Sequence, residues 1–266
     1  MPKRKESFEV LDEVSDKCPY RQCDGTGLIV FKDELGEVKM AICKCRKERE
    51  ILAKLQSAKI PLDFQGCTVK EFRTDIYQAK ENQQKAGFAR HIGIKFVENY
   101  NELKTRGKGL FLYSAATGSG KSRLAVSIAN DIIQRLNINV LYISSSNMLN
   151  EIKKTFDNKN SFHEHDILDL YGNVELLIID DFGVEKATEW SEGIFTQILE
   201  ERMNNKKITI VTSNLSVEEL SDKYPTGRIQ GRIEKMTFPI AMPEESVRSA
   251  LSRLENESVF NEIYGV

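Results

Sequence analysis

From Lys108 to the C-terminus, short apolar runs alternate with longer segments whose apolar residues recur every three or four positions. The pattern predicts strands at 109–114, 139–143, 174–180, 207–213 and 237–242. It predicts helices at 121–136, 146–157, 189–204, 216–223, 227–235 and 244–263. The strand runs are continuously apolar, as in Leu176–Leu177–Ile178–Ile179, which suits strands buried on both faces. Alternation of such strands with helices predicts an α/β fold whose parallel sheet is covered on both sides. Upstream, residues 51–106 read as a helical linker with a break at Pro61. Within it, Ala86, Ala89, Ile92, Phe96 and Val97 fall at helical spacing and are expected to pack on the core. Residues 1–50 form a smaller cysteine-bearing module, and 107–266 the main domain. Asp157 to Ser161, with Asn158 and Asn160, reads as an exposed turn.

The first predicted strand of the main domain runs into Ser114–Ala115–Ala116–Thr117–Gly118–Ser119–Gly120–Lys121–Ser122. Glycines at the entrance to a helix let backbone N–H groups close around phosphate oxygens, and the helix N-terminus adds partial positive charge. Thr117, Gly118, Ser119 and Gly120 would form that cradle. Lys121 would reach the β- and γ-phosphates, and the Ser122 hydroxyl would sit on Mg²⁺. Ala115 stands where the usual pattern has its first glycine, a site an alanine can fill if φ is negative. About sixty residues downstream, Leu176–Ile179 ends in Asp180–Asp181. Ligand chemistry collects at the carboxyl ends of parallel strands. Asp180 is therefore the candidate to hold Mg²⁺, and Asp181 the candidate to orient or deprotonate an attacking water.

Composition narrows the class. Charged residues make up 29% of 266 residues, yet the net charge is only −2, so any nucleic-acid contact must come from a local patch. No window approaches the length of a membrane-spanning apolar segment. Met1–Pro2–Lys3–Arg4–Lys5–Glu6 is charged with no apolar stretch behind it, unlike a secretory signal, and a cytoplasmic location is expected. In that setting, the five cysteines read as metal ligands or thiols rather than disulfides. Cys18 and Cys23 form one close pair and Cys43 and Cys45 another. Leu28–Phe31 and Val38–Ile42 between them read as a hairpin around Glu34–Glu37. Four thiolates in two pairs can enclose a tetrahedral zinc ion, which would stabilise a module too small for its own core. Reduced, unliganded thiols are the alternative. Cys67 is expected to be a buried apolar residue.

The strand at 207–213 ends in Thr212–Ser213–Asn214, and Asn214 at its tip can position a hydrolytic water; Ser213 or Ser216 can instead serve as helix caps. Arg228 and Arg232 share one helical face, either as a solvated or salt-bridged pair or as arginines offered to a neighbouring subunit's γ-phosphate. Arg248, early in the last helix, could reach a nucleotide from above.

Together these residues resemble the AAA+ ATPases of the DnaC/DnaI helicase-loader family, which also includes the IstB-type transposition ATPases. The resemblance runs from Ile60–Pro61–Leu62–Asp63–Phe64, with Cys67 and Phe72, through Gly118–Ser122 and Leu177–Gly183. It continues through Trp190, Thr212–Leu215, Arg228–Ile229–Gln230–Gly231–Arg232 and Ser246–Val247–Arg248. It implies a P-loop NTPase with a five-stranded parallel sheet and a short C-terminal helical lid, preceded by a small zinc-binding module. Lys121, Ser122 and Asp180 would bind ATP–Mg²⁺, Asn214 would be the first sensor, Arg232 the arginine finger and Arg248 the second sensor. The partners implied are a replicative hexameric helicase gripped by the zinc module, single-stranded DNA and further copies of the chain through the arginine finger. Lys153 and Lys154 on the helix at 146–157 are candidates for the DNA surface, although two lysines on a helix are usually only solvated. An IstB-like ATPase regulating transposition is the alternative, and a nucleotide-gated adaptor with little turnover is a third reading. Ala115 and Asp181, which stands where many relatives have Glu, imply weaker nucleotide affinity and slow hydrolysis.

Overall fold

The computed structural model describes residues 9–10, 15–16, 18–33, 35–157 and 164–265. The charged start at Met1–Glu6, Glu34 of the hairpin loop and residues 158–161 of the expected turn lie outside the described residues. The chain divides into two compact units, Met1–Lys54 and Leu55–Val266.

In the smaller unit, β2 (Leu28–Lys32) and β3 (Val38–Ile42) pair antiparallel, as the hairpin reading expects. A two-residue strand, β1 (Glu9–Val10), adds to the far side of β2 and had no signal in the apolar pattern. Helix α1 (Lys44–Ser57) begins between the last two cysteines. All four cysteines of the pairs are buried, and Ile29 packs against them.

The larger unit is built on five parallel strands in the order β5-β6-β7-β4-β8. They are β4 (Gly109–Tyr113), β5 (Val140–Ser144), β6 (Leu176–Phe182), β7 (Ile208–Ser213) and β8 (Thr237–Ala241). Strand β7 is buried at every position and β6 at every position except Asp181, which accounts for their unbroken apolar runs. Because side chains alternate along a strand, Phe111, Ile179 and Val211 face one side of the sheet. There they join Met148 and Ile152 of α5 (Ser145–Asp157), Tyr171 of α6 (Glu164–Asn173), Phe195 and Leu199 of α7 (Glu189–Asn204), and Ile229 and Ile233 of α9 (Arg228–Met236). Helix α8 (Glu219–Lys223) contributes Leu220 to the same layer. Leu110, Leu112, Ile178 and Ile210 take the opposite side, which α4 (Lys121–Leu136) covers with Leu124, Ile128 and Ile132, all buried. Helix α2 (Lys80–Glu98) packs on α4 through Ala86, Ala89, Phe96 and Val97 and leads into α3 (Tyr100–Arg106).

Both edges of the sheet are occupied or interrupted. Tyr142 on β5 donates its backbone N–H to Ala58 O at 2.8 Å, and β8 carries Pro239, which has no N–H to give.

Four differences from the sequence reading have physical causes. Helix α6 was not expected, because its apolar residues Ile167, Leu168 and Tyr171 are too few to mark a helical face unaided. The terminal helix α10 starts at Arg248 rather than at 244, because Glu244 and Glu245 spend their carboxylates on other segments. Strand β6 continues through Asp180–Asp181 to Phe182, with an irregularity in its pairing to β7 that puts Asp181 at φ +52°. Cys67 is only partly buried, in a polar turn where its Sγ lies 3.9 Å from Asp63 O.

One buried charge holds the far end of this unit together. Arg202, in the last turn of α7, is fully buried, and its partners are all neutral oxygens. Nε donates to Thr209 Oγ1 at 2.8 Å, and Nη1 to Tyr171 O at 2.6 Å and Val174 O at 3.0 Å. Nη2 donates to Ile208 O at 2.5 Å. Burial pushes its pKa down to about 9, still above neutrality, so the guanidinium remains charged. One side chain thus closes α7, the α6–β6 turn and the start of β7. Replacing it with methionine (Arg202→Met) leaves several buried carbonyls unpaired and should cost about 3 kcal/mol, read as a lower midpoint in urea unfolding.

Candidate functional site

The loop between β4 and α4 encloses a buried ammonium. Lys121, 5% exposed, donates to Ser114 O at 3.1 Å, Ala116 O at 2.9 Å and Ser119 Oγ at 3.3 Å. Burial lowers its pKa, and the nearby carboxylates Asp181, Glu244 and Asp180 pull it back up. An anion entering the loop would act in the same direction as those carboxylates. Ala115 is absent from the described residues with left-handed backbone, so its methyl group brings no strain at the first loop position.

Gly118 shows why the middle of the loop must be glycine. Its φ is +75°, and a Cβ there would lie 2.6 Å from Ser246 Oγ and 2.8 Å from Arg248 Cγ. The aliphatic stem of Arg248 therefore lies across the loop, and Val247 N–H donates to Gly118 O at 3.0 Å. A cavity of about 390 Å³ opens at this point. Thr117, Gly118, Ser119, Gly120, Lys121 and Ser122 line it, and Asp181, Asn214 and Arg248 face the same space. Those three come from the ends of β6, β7 and the start of α10, three separate stretches of the chain.

Asp180 and Asp181 occupy different environments. Asp180, 4% exposed, accepts from Thr212 Oγ1 at 2.6 Å on Oδ1 and from the Tyr142 hydroxyl at 2.5 Å on Oδ2. Thr212 Oγ1 also receives the Asp181 N–H at 2.9 Å, so one hydroxyl of β7 registers both acids. Asp181 is the exposed member of the pair. Partial burial and the adjacent Asp180 raise its pKa, against the opposing pull of Lys121 and Arg248.

Arg232 lies outside this cavity. Its Nη2 pairs with Glu200 Oε2 of α7 at 2.9 Å, and Nη1 donates to Arg228 O at 2.9 Å. Ser216 and Glu219 bond each other's backbone N–H groups ahead of α8, and Ser213 receives the Leu215 N–H, which leaves Asn214 as the strand-tip residue in the cavity. Lys153 lies 5.0 Å from the centre of the Trp190 ring, and with Lys154 and Lys59 it borders a second open cavity beside β5.

Several contributing residues carry no local motif. Glu244 accepts the backbone N–H groups of Ala115 at 3.3 Å and Ala116 at 3.1 Å, pinning the entrance of the β4–α4 loop. Glu245 accepts from Gln78 N and Ala79 N at the start of α2, at 2.7 and 3.3 Å. Tyr77 donates to Ser119 O at 2.9 Å, and with Phe72, Ile76, Val247 and Leu251 it walls an apolar recess beside Gly120. Only the pair of carboxylates after Pro243 could have drawn notice in the sequence, and it identifies no target.

The four cysteine sulfurs of the small unit all lie within 4.8 Å of one another. Cys18 and Cys43 are 3.7 Å apart and Cys23 and Cys45 3.5 Å, far beyond the length of about 2.05 Å for a disulfide bond. Four sulfurs at about 2.3 Å from a central zinc ion would be about 3.8 Å apart, so the separations suit a tetrahedral metal. The Gln22 N–H contact lowers the Cys18 pKa to about 6, and burial raises that of Cys45 to about 12.

Comparison with known proteins agrees with this geometry. The family model described as IstB-like ATP binding protein matches residues 22–248. The replicative helicase loader DnaC of Escherichia coli strain K12 is 28% identical over 202 residues, covering 74% of this chain and 76% of its own. The crystal structure of DnaI superposes with a TM-score of 0.56 at 26% identity, covering 69% of this chain and 94% of that one. A crystal structure of the DnaC helicase loader gives 0.57 at 23% identity, covering 68% and 99%, and supports the fold. Among the described residues no helix is long and apolar enough to cross a membrane. The architecture is that of the AAA+ ATPases, and the chain belongs to the IstB-like ATP-binding protein family.

Proposed function

We propose that this chain binds ATP–Mg²⁺, hydrolyses it slowly, and acts as a loader of the replicative DNA helicase. The observation that carries the reading is the single cavity in which Lys121, Asp181, Asn214 and Arg248 converge on the loop from Thr117 to Ser122. The similarity to DnaC supplies the biological setting.

In this reading the amides of residues 117–122 and the Lys121 ammonium receive the triphosphate. Ser122 Oγ and the Asp180 carboxylate are the groups that would hold Mg²⁺, which when bound neutralises charge on the β- and γ-phosphates. Tyr142 and Thr212 orient Asp180 by donating to its two carboxylate oxygens. Asp181, with its partly raised pKa, orients or accepts a proton from the attacking water, and Asn214 fixes that water's position. Arg248 reaches the phosphates from above. Arg232, outside its own cavity, is offered to the γ-phosphate of a neighbouring copy. The shorter reach of Asp181 relative to a glutamate accounts for slow turnover.

The four cysteines hold a structural zinc ion, and the unit they staple grips the helicase. Four thiolates leave no open position for catalysis by that metal. Single-stranded DNA would lie along α5 near Lys59, Lys153 and Lys154, which border one cavity. Membership of the IstB-like family keeps regulation of transposition as a second reading. The location expected for either activity is the cytoplasm.

Four measurements test these assignments. The full-length chain titrated against the replicative hexameric helicase of its host should co-elute with it in size-exclusion chromatography, more strongly with ATP. Absence of a complex under both conditions, together with filament formation on duplex DNA, would favour the transposition reading. Lys121→Ala should weaken magnesium-dependent retention of labelled ATP about 10- to 100-fold, the size expected for lost charge-assisted hydrogen bonds. Asp181→Asn should keep ATP binding and lose turnover. Elemental analysis should find one zinc ion per chain, and Cys23→Ser with Cys45→Ser should lose it. That double variant should also lose helicase binding while retaining ATP, whereas full helicase binding by the metal-free variant would refute the assignment of the helicase grip to the zinc unit.

A further inference from the structure

A single buried carboxylate fastens the turn after the acid pair to the segment that carries the arginines. Glu185 is 8% exposed and stands four residues beyond Asp181. It accepts the Gly183 N–H at 3.2 Å, the Ser145 hydroxyl on the same oxygen, and the Tyr224 hydroxyl on the other. Ser145 Oγ also lies 2.9 Å from Asp181 O, so the hydroxyl that meets Glu185 touches the backbone of the acid as well.

Tyr224 is fully buried, with its ring 5.7 Å from that of Phe182 and 6.4 Å from that of Phe195. It directly precedes Pro225–Thr226–Gly227, where φ at Gly227 is +68°, and the first residue of α9 is Arg228. The Thr226 hydroxyl is held in turn by Glu192 of α7. The path from Asp181 to Arg232 therefore consists of short, packed steps with few soft torsions. Asp181 holds left-handed backbone at φ +52°, unusual for a residue with a side chain, so the turn is fixed by its surroundings at that point. Burying a carboxylate among neutral donors is costly, and a purely structural anchor at this point could be an amide.

We propose that Glu185 is a positioning residue that, through Tyr224, sets the aim of the α9 arginines and ties it to the acid turn of the same protomer. The inference rests on the reading that Arg232 acts in a neighbouring protomer's site. A nucleotide-dependent shift at Asp181 would reach the arginine face through Gly183, Glu185 and Tyr224 in order.

Mixed-protomer turnover tests this on the full-length chain. Tyr224→Phe keeps the ring packing and removes only the hydroxyl. It should bind labelled ATP within twofold of the wild type and hydrolyse about tenfold more slowly, the size of one hydrogen bond to a charged group. Excess Asp181→Asn protomers cannot hydrolyse ATP but carry intact Tyr224 and Arg232. Adding them should restore turnover at the Tyr224→Phe sites, and Glu185→Gln should show the same slowing and rescue. Unchanged turnover in Tyr224→Phe, or slowing that Asp181→Asn does not relieve, would overturn the proposal, since a defect confined to its own acid turn is not corrected by a neighbour. Arg232→Ala mixed with Asp181→Asn serves as the control. If that pair shows no rescue, the trans role of Arg232 has failed, and the failure is distinguishable from one at Glu185.

Discussion

The ammonium of Lys121 sits in a collar of neutral oxygens beyond the carboxyl end of β4, and the surrounding architecture follows from keeping it there. A buried cation with carbonyl and hydroxyl partners alone is held at a cost that an incoming polyanion can relieve. The collar exists because β4 ends at Tyr113 and α4 starts at Lys121, which leaves just enough chain to turn the backbone around the side chain. Neighbouring carboxylates supply compensating charge without touching it: none of the Lys121 hydrogen bonds goes to an acid, yet Asp181, Glu244 and Asp180 all raise its proton affinity.

The second organising element is the segment Glu244–Arg248. Within five residues it pins the entrance of the phosphate loop, caps the start of α2, bonds the Gly118 carbonyl and lays an arginine stem across the loop. The helix that follows is thereby set at a fixed distance from the site. Both carboxylates accept backbone N–H groups ahead of other elements, Ala115 and Ala116 after β4 and Gln78 and Ala79 before α2.

What could be read in advance follows from the range of the interactions. The phosphate loop and the acid pair announce themselves because their chemistry is local: a few adjacent residues carry the glycine freedom, the cation and the hydroxyl, or the apolar run and its acids. Asn214 was legible from its place at a strand tip. Arg202 was not, because an arginine in the last turn of a helix looks solvated until the α6–β6 turn folds over it. The contacts of Tyr142, Thr212 and Glu185 were not legible for the same reason, since each meets partners more than thirty residues away. Cys67 misled because cysteine favours the interior in general, while its own turn is polar.

The two ends of the main sheet have a bearing on how safely many copies can share a solution. An open strand exposes a row of donors and acceptors that a second molecule can extend, which is how native sheets start to aggregate. Here the Ala58 carbonyl already takes a donor of one outer strand, and a proline ring interrupts the ladder of the other. A protein whose proposed work brings copies side by side is in this way steered from strand-to-strand adhesion and left to meet its neighbours through helices and loops.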